Sequence, residues 1–381
     1  MEIGVPKEIK NHEYRVGLTP AGVLALTSAG HRVYIEHDAG KAIDFSNDMY
    51  IAAGATIVDS AERIYQCDMV VKVKEPQPEE VALLQRGQIL FTYLHLAADR
   101  ALTDALLQTG VNAIAYETVR DLMGRLPLLT PMSEVAGRLA IQAGATALQM
   151  ANGGRGVMLG GVPGVAPAKV LVVGGGVVGT QAARMALGLG ADVTLLDNSI
   201  ERLRYLDDVY GPTLKTRYSD ASTIAELTQQ ADLVIGAVLL TGKLAPKLIT
   251  REHIKAMRPG SVLVDVAIDQ GGCAETSKPT THQQPTYVVD DVIHYCVANM
   301  PGACARTATM ALTNATMPYV LALANKGYQQ ALLDDAGFMA GLSMHLGELT
   351  CADVAADMGM AFVPANQVLS GQGDAISAIA V

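Results

Sequence analysis

No two of the five cysteines (Cys67, Cys273, Cys296, Cys304, Cys351) are spaced as C-x-x-C, and their number is odd. Neither a disulfide framework nor a zinc site is indicated. The eight histidines include no H-E-x-x-H or comparable ligand spacing, so no metal is expected. A net charge of −10 comes without any basic block, which argues against nucleic acid or an anionic membrane surface as partner. Apolar runs are broken by charge or glycine before the roughly 18 residues of a membrane span. The opening Met1-Glu-Ile-Gly-Val-Pro-Lys7 lacks a basic segment followed by a long apolar core, so no signal peptide is expected. No repeat of solenoid period and no low-complexity segment is present, apart from a mildly Gly/Ala-rich tail after Val368. These absences point to a soluble protein of the reducing cytoplasm.

What is present is apolar and long. Half of the 381 residues are hydrophobic, and the length exceeds one core, so two domains are expected. Short Val-, Ile- and Tyr-rich runs at Glu2–Val5, Arg32–Glu36, Met69–Lys74, Gln88–Leu94 and Asn112–Tyr116 read as strands. Helical stretches lie between them, such as Pro20–Ala29 with Thr19 as cap and Gly30 after its end. A second set follows at Lys169–Val173, Asp192–Leu196, Asp232–Val238, Ser261–Ile268 and Ile293–Val297. Two long helical patterns, Ser133 to about Met150 with Ser133 as N-cap and Thr307 to about Asn325, separate the sets.

The segment Ala168-Lys-Val-Leu-Val-Val-Gly-Gly-Gly-Val-Val-Gly179, followed by Ala191-Asp-Val-Thr-Leu-Leu-Asp197, has the order of a dinucleotide site. Gly174 suits the tight turn after a strand, Gly176 lets backbone approach a pyrophosphate, and Gly179 lets the helix pack on the sheet. The pyrophosphate then meets unpaired amides at the helix N-terminus. Asp197 stands about 20 positions further on, where a carboxylate holds the adenosine ribose and repels a 2′-phosphate. NAD is therefore the expected cofactor. The fold class is α/β, with two doubly wound parallel-sheet (Rossmann-like) domains joined by the two long helices and an active site in the cleft between them. The expected boundaries are residues 1–130 plus 306–381 for the substrate domain and 131–305 for the nucleotide domain.

Ligands of such sheets bind at the carboxyl ends of the strands, and four polar residues pass that test. They are Arg15 after the first strand, Lys74 ending Val-Val-Lys-Val-Lys, His95 ending Phe-Thr-Tyr-Leu-His, and Asp269 ending Val-Asp-Val-Ala-Ile-Asp. Arginine grips a carboxylate bidentately, lysine adds a point charge, and His and Asp exchange protons. Each has an ordinary alternative: Arg15 as a surface charge, Lys74 beside Glu75 as a solvated strand end, His95 as a satisfied terminal histidine, and Asp269 as the start of a turn.

Met1-Glu-Ile-Gly-Val-Pro-Lys-Glu-Ile-Lys-Asn-His-Glu-Tyr-Arg-Val16, Lys72-Val-Lys-Glu-Pro76, Phe91-Thr-Tyr-Leu-His-Leu-Ala97, Pro131-Met-Ser-Glu-Val-Ala-Gly-Arg138, Val264-Asp-Val-Ala-Ile-Asp-Gln-Gly-Gly-Cys273 and Cys296-Val-Ala-Asn-Met-Pro301 resemble the signature segments of the bacterial L-alanine dehydrogenases. The resemblance runs in order from residue 1 to about 368. It implies reversible NAD-dependent oxidative deamination of L-alanine to pyruvate and ammonium. It implies that Arg15 and Lys74 bind substrate and that His95 and Asp269 are the catalytic pair. It places Ser133, Val178, Asp197, Arg202, Ser219, Val238, Leu239, Ala267, Ile268, Asp269, Lys278, Val297, Ala298, Asn299 and Met300 at the nucleotide, beside Gly174, Gly176 and Gly179. Lys278 stands where the family commonly has Arg. A homo-oligomer, a hexamer by the family pattern, is also implied. The rival readings are the NAD-binding component of a proton-translocating transhydrogenase and a non-catalytic NAD-binding regulatory protein.

Overall fold

Short β-branched runs separated by helices build a parallel sheet twice in this chain. The computed structural model describes residues 1–238 and 244–370. It divides into two units: Met1–Met132 together with the chain from Ala305 onward, and Ser133–Cys304. The first part of the chain forms β1 (Glu2–Val5), β2 (Arg32–Glu36), β3 (Thr56–Val58), β4 (Met69–Val71), β5 (Ile89–Thr92) and β6 (Asn112–Ala115). The second unit forms β7 (Lys169–Val173), β8 (Asp192–Asp197), β9 (Lys215–Tyr218), β10 (Leu233–Gly236), β11 (Val262–Asp265), β12 (Thr286–Val289) and β13 (Val292–Tyr295). After the return, β14 (Leu342–His345) and β15 (Glu348–Leu349) extend the first sheet.

Both sheets follow the same plan. The first is ordered β15-β14-β6-β5-β4-β1-β2-β3 and the second β12-β13-β11-β10-β7-β8-β9. Starting from its first strand, each chain segment winds outward in one direction, then returns to the other side of that strand. The topological switch points therefore lie between β1 and β4, and between β7 and β10, where loops diverge and leave a crevice at the carboxyl ends. All pairs are parallel except β12 with β13, β14 with β6 and β14 with β15. The antiparallel pairs arise where a short connection or an edge permits them.

The helices begin where local chemistry allows. Thr19 caps the helix Pro20–Ser28 by accepting the Gly22 amide at 3.2 Å. Gly30 follows in the left-handed region (φ 86°). In the second unit the helix Val177–Gly188 turns Ala182, Ala183 and Ala186, all fully buried, into the core. Side chains this small let the helix axis lie close to the sheet. Among the described residues no helix is long and apolar enough to cross a membrane.

The structure departs from the sequence reading at element edges. Strands β4, β5, β10 and β11 stop two to three residues short of the expected ends, because the chain bends into the loops that carry polar side chains. The long helix begins at Thr130 rather than after Ser133. Pro131 occupies its first turn, where a missing N–H costs nothing, so Ser133 is helical and not a cap. The strands β3, β9 and β12, short and poorly alternating, were not anticipated. The helix expected at Thr307–Asn325 runs from Ala305 to Lys326 with Pro318 inside it.

Candidate active site

Three of the four singled-out residues emerge from carboxyl ends of the first sheet: Arg15 after β1, Lys74 after β4 and His95 after β5. The first two loops flank the switch point between β1 and β4. The stretch after β1 is held from both sides. The Val16 amide donates to Thr309 Oγ1 at 3.2 Å. Arg15 is buried, against the surface alternative, and its Nε and Nη2 donate to the two Glu13 oxygens at 2.7 and 2.5 Å. Nη1 lies 3.1 Å from Met132 Sδ. This fork-to-fork pairing fixes the plane of the guanidinium before any ligand arrives. Burial works against the charge on Arg15, but the hydrogen bond and charge of Glu13 outweigh it.

Beneath Lys74 lies a buried ionic network. Lys72 is fully buried, and its Nζ reaches Glu80 Oε1 at 2.5 Å and Glu8 Oε2 at 3.2 Å. Tyr65 donates to Glu80 Oε1 at 2.9 Å. The other Glu8 oxygen accepts the Val73 amide at 2.7 Å and the Lys74 amide at 3.4 Å. Burial pushes the Glu8 carboxyl up although Lys72 pulls it down. The sequence put both Lys72 and Lys74 in one strand, Met69–Lys74. Instead β4 ends at Val71, Lys72 is interior and the partly buried Lys74 belongs to the loop.

His95 has left-handed backbone (φ 52°, ψ 34°), a conformation that costs a non-glycine residue of order 1–3 kcal/mol. Glu117 offsets that strain by accepting the Leu94 amide at 3.0 Å and the His95 amide at 2.6 Å. An aromatic column supports the loop from below. Tyr93 stands 5.9 Å from the His95 ring and 5.0 Å from Tyr116, and Phe91 is 4.4 Å from Tyr116. Tyr93 donates to the Leu128 carbonyl at 2.5 Å. In a chain with few aromatic residues, this cluster marks where rigidity was needed.

In the second unit Asp269 lies not on β11 but in the 3-10 turn Val266–Gln270 that follows it. Asp265, fully buried at the end of β11, organises this turn. It accepts the amides of Ala267 (3.1 Å), Cys273 (2.8 Å) and Ala274 (3.1 Å) and the Ser277 hydroxyl (2.5 Å). Lys247 Nζ pins the next residues through the carbonyls of Gly271 and Gly272.

The glycine loop has the geometry a pyrophosphate cradle requires. Gly174 has φ 105°, and a Cβ there would stand 2.8 Å from the Ala237 carbonyl oxygen across the switch point. A Cβ at Gly179 would stand 1.8 Å from the Gly174 oxygen. At Gly176, the N-cap of the helix Val177–Gly188, a Cβ would meet nothing within 4 Å, so this helix N-terminus faces open space. Asp197 Oδ2 accepts the Gly175 amide at 2.8 Å and Oδ1 the Ser199 amide at 2.8 Å. The carboxylate thus ties β8 to the loop, and its remaining lone pairs can still accept from a ribose. Arg202 turns back onto the same loop, donating from Nε to the Gly175 carbonyl at 2.6 Å and from Nη2 to Thr180 Oγ1 at 2.7 Å.

The remaining positions expected at a nucleotide divide by exposure. Val178, Ala267, Ile268 and Met300 are buried against the loops, while Ser219, Val238, Ala298 and Asn299 are partly exposed at strand ends. Val297 is fully buried in the core. Ser133, within the helix, is partly exposed. Lys278 places its Nζ over the Tyr287 ring at 5.3 Å. Leu239 lies outside the described residues.

The sequence reading missed Glu8, Glu13, Glu117, Asp265 and Met132, and it saw Glu75 only as part of a solvated end. A signal existed: carboxylates sit within a few residues of each selected cation or strand end. Glu13 lies two residues from Arg15 and Asp265 within twelve of its donors, but Glu8 and Glu117 lie more than twenty residues from the amides they bind, so the signal had no direction. Among the described residues no group of three His, Cys, Asp or Glu could hold a metal ion. A cavity of about 560 Å³ at the amino ends of β7–β9 is lined by Lys169, Asp192, Lys215 and Arg217. It lies at the wrong end of the sheet for the loops above, and Lys215 pairs there with Asp192 at 2.5 Å.

Comparison with known proteins shows the family. Residues 4–136 match the family model "Alanine dehydrogenase/PNT, N-terminal domain" and residues 140–352 "Alanine dehydrogenase/PNT, C-terminal domain". The chain is 59% identical over 370 residues to an alanine dehydrogenase of Halomonas elongata, covering 97% of this chain and all of that protein. It is 54% identical over 380 residues to the alanine dehydrogenase of Bacillus subtilis, covering 99% and 100%. A solved L-alanine dehydrogenase superposes with a TM-score of 0.92 at 53% identity, covering 94% of this chain and 99% of that one. A transhydrogenase from Sinorhizobium meliloti shares the fold, with a TM-score of 0.81 at 24% identity over 92% and 100% of the chains.

Proposed function

We infer that this chain, a member of the alanine dehydrogenase/PNT family, is an NAD-dependent oxidoreductase that converts L-alanine to pyruvate and ammonium. Within that reaction we propose that Arg15 and Lys74 hold the substrate carboxylate while His95 and Asp269 move its protons. One observation carries the first three of these roles: the loops after β1, β4 and β5 bring Arg15, Lys74 and His95 to the same end of one sheet, two of them astride its switch point, while Asp269 follows β11 at the carboxyl end of the second sheet. NAD fits the second unit, where Gly174, Gly176 and Gly179 leave a helix N-terminus open to a pyrophosphate. When bound, NAD supplies the hydride acceptor at nicotinamide C4.

The residues of the chain do the rest. Arg15, its plane fixed by Glu13, and Lys74, its amide fixed by Glu8, fix the acid group, so the substrate Cα is presented in one orientation. Loss of hydride from the neutral amine form of alanine leaves an iminium. Asp269 takes a proton from the water that adds to it. The carbinolamine then collapses to pyruvate and ammonia, and His95 holds the hydrogen bond to the oxygen that becomes the ketone. The sum is L-alanine, NAD and water giving pyruvate, ammonium, NADH and a proton.

Asp197 would accept the adenosine ribose hydroxyls, and Ser133, Val178, Arg202, Ser219, Val238, Ile268, Asn299 and Met300 would line the nucleotide. The reading also makes the protein a cytoplasmic homo-oligomer of six copies. The five free thiols suit a reducing compartment, and light scattering on the purified protein checks the number. The direct test is NADH oxidation by pyruvate with ammonium, followed by the loss of NADH absorbance. Turnover that requires both pyruvate and ammonium is expected. NADH consumption with neither, but requiring an oxidised nicotinamide nucleotide as hydride acceptor, would favour a hydride-passing module without a carbon substrate.

A further inference from the structure

The imidazole of His95 is held at more points than a loop histidine needs. Glu117 secures its backbone in the left-handed region, and Tyr93 lies along one side of the ring at 5.9 Å and 31°. The ring nitrogen has its own partner: Nδ1 stands 3.2 Å from Glu75 Oε2. The other Glu75 oxygen pairs with Lys10 Nζ, from the loop after β1. Glu75 is 15% exposed at its side chain and His95 46%, so the carboxylate lies inward of the ring and the ring faces outward from it. Three loops, those after β1, β4 and β5, thus converge on one imidazole.

We propose that Glu75 is the positioning residue for His95: it accepts the Nδ1 hydrogen, which leaves Nε2 as the nitrogen that exchanges protons with substrate, and Lys10 holds it in place. The proposal rests on the reading of His95 as a proton carrier. An ionised carboxylate only accepts hydrogen bonds, so a neutral imidazole facing it must carry its hydrogen on Nδ1. Glu75 is ionised. Burial works to protonate it, but the His95 hydrogen bond, the Lys74 charge and Lys10 outweigh that, and its carboxyl sits well below the usual range. When Nε2 takes up a proton, the cation that forms already faces a fixed negative charge.

The role differs from that of its neighbours. Glu117 bonds backbone amides and would serve any residue at position 95, whereas Glu75 bonds the ring and serves only a histidine. Glu75→Gln separates the two, because an amide side chain can either accept from Nδ1–H or donate to a bare Nδ1. The tautomer then loses its instruction.

The test combines kinetics with ¹⁵N spectra of the imidazole rings in the intact protein, with His95 identified by its absence in His95→Asn. Native protein should show His95 protonated at Nδ1, and Glu75→Gln should show both tautomers. Turnover in Glu75→Gln should fall about tenfold or more, within the span of general acid–base catalysis, while KM for alanine and the dissociation constant of NADH change less than about twofold. In a His95→Asn background Glu75→Gln should add no further loss. An Nε2–H tautomer in the native protein overturns the proposal. So does an equal effect of Glu75→Gln with and without His95, since Glu75 would then act through Lys74 or the loop. Native turnover in Glu75→Gln alongside a loss in His95→Asn overturns the Glu75 assignment alone. Native turnover in His95→Asn removes the underlying reading and the proposal with it.

Discussion

At the carboxyl ends of β1, β4 and β5 the first unit anchors its loops with carboxylates: Glu13 on Arg15, Glu8 on the amides of Val73 and Lys74, Glu117 on those of Leu94 and His95. At the carboxyl end of β7, under the same strand order, the second unit anchors its loop with glycine, using the positive φ of Gly174 and the close passage of Gly179. The difference follows from what each end must present. A side chain that is to be aimed needs its backbone or its own polar group fixed, and an accepting carboxylate does one or the other: Glu8 and Glu117 hold backbone amides, while Glu13 holds the Arg15 guanidinium. A backbone that is itself the binding surface must be bare, and only glycine provides that. The second unit carries the same device where Asp269, the proposed proton carrier, follows β11: the buried Asp265 carboxylate accepts from four donors of that turn and the chain after it.

The largest effect should come from the buried network of Lys72, Glu8 and Glu80 in the first unit. Lys72→Met leaves Glu8 and Glu80 buried without their cation, and breaking such a set typically costs about 3–5 kcal/mol. Urea unfolding would measure it, and adding Glu8→Gln and Glu80→Gln to Lys72→Met should recover part of the loss. A change under about 1 kcal/mol for Lys72→Met, small on the scale of a broken buried pair, would end the claim that charge organises this unit. Next come the two aimed residues. His95→Asn and Asp269→Asn should each lower turnover by about 10² or more with NADH affinity nearly unchanged, measured by steady-state kinetics and nucleotide fluorescence. A loss of NADH affinity equal to the loss of turnover would mean that the residue serves the cofactor and not the chemistry.

A smaller effect is expected at the glycine loop. Asp197→Ala removes the acceptor of the Gly175 amide and of a ribose, and should weaken NADH by about 1–3 kcal/mol. It should also narrow the preference for NADH over NADPH, since a repulsive group is gone. An unchanged ratio would place the ribose elsewhere. The smallest is a pH effect. The Glu75 carboxyl is held below its usual range, so its contribution to stability is fully present above the unfolded value of about 4.3 and is lost as pH falls through the folded one. Glu8, pushed up by burial, acts with the opposite sign. The difference between native protein and Glu75→Gln isolates the first term, and acid unfolding should be less steep in the variant. Coincident curves would show that Glu75 gains nothing from its partners.

Much of the second unit's fold was legible because its signals are local. Gly174, Gly176, Gly179 and Asp197 lie on one strand-helix-strand run, and each has a backbone reason that depends on near neighbours. The four polar strand ends were found by a rule about sheets, and three of them do end one sheet. Their supports were not legible. Glu8 meets Lys72, Glu117 meets His95 and Glu75 meets Lys10 only because parallel strands far apart in sequence lie side by side. Edge strands were missed for a related reason: β3, β9 and β12 owe their conformation to the neighbour they pair with more than to their own residues.

The chain by itself determined the central strands and the main helices, that the sheets are predominantly parallel and doubly wound, and where glycine had to stand, because apolar periodicity and backbone sterics act over a few residues. The tertiary structure alone decided that Arg15 is buried, that Lys72 is interior while Lys74 is not, and that His95 is held in a left-handed conformation with Glu75 at its ring. Those outcomes depend on desolvation and on hydrogen bonds between loops, and neither exists until the strands have assembled.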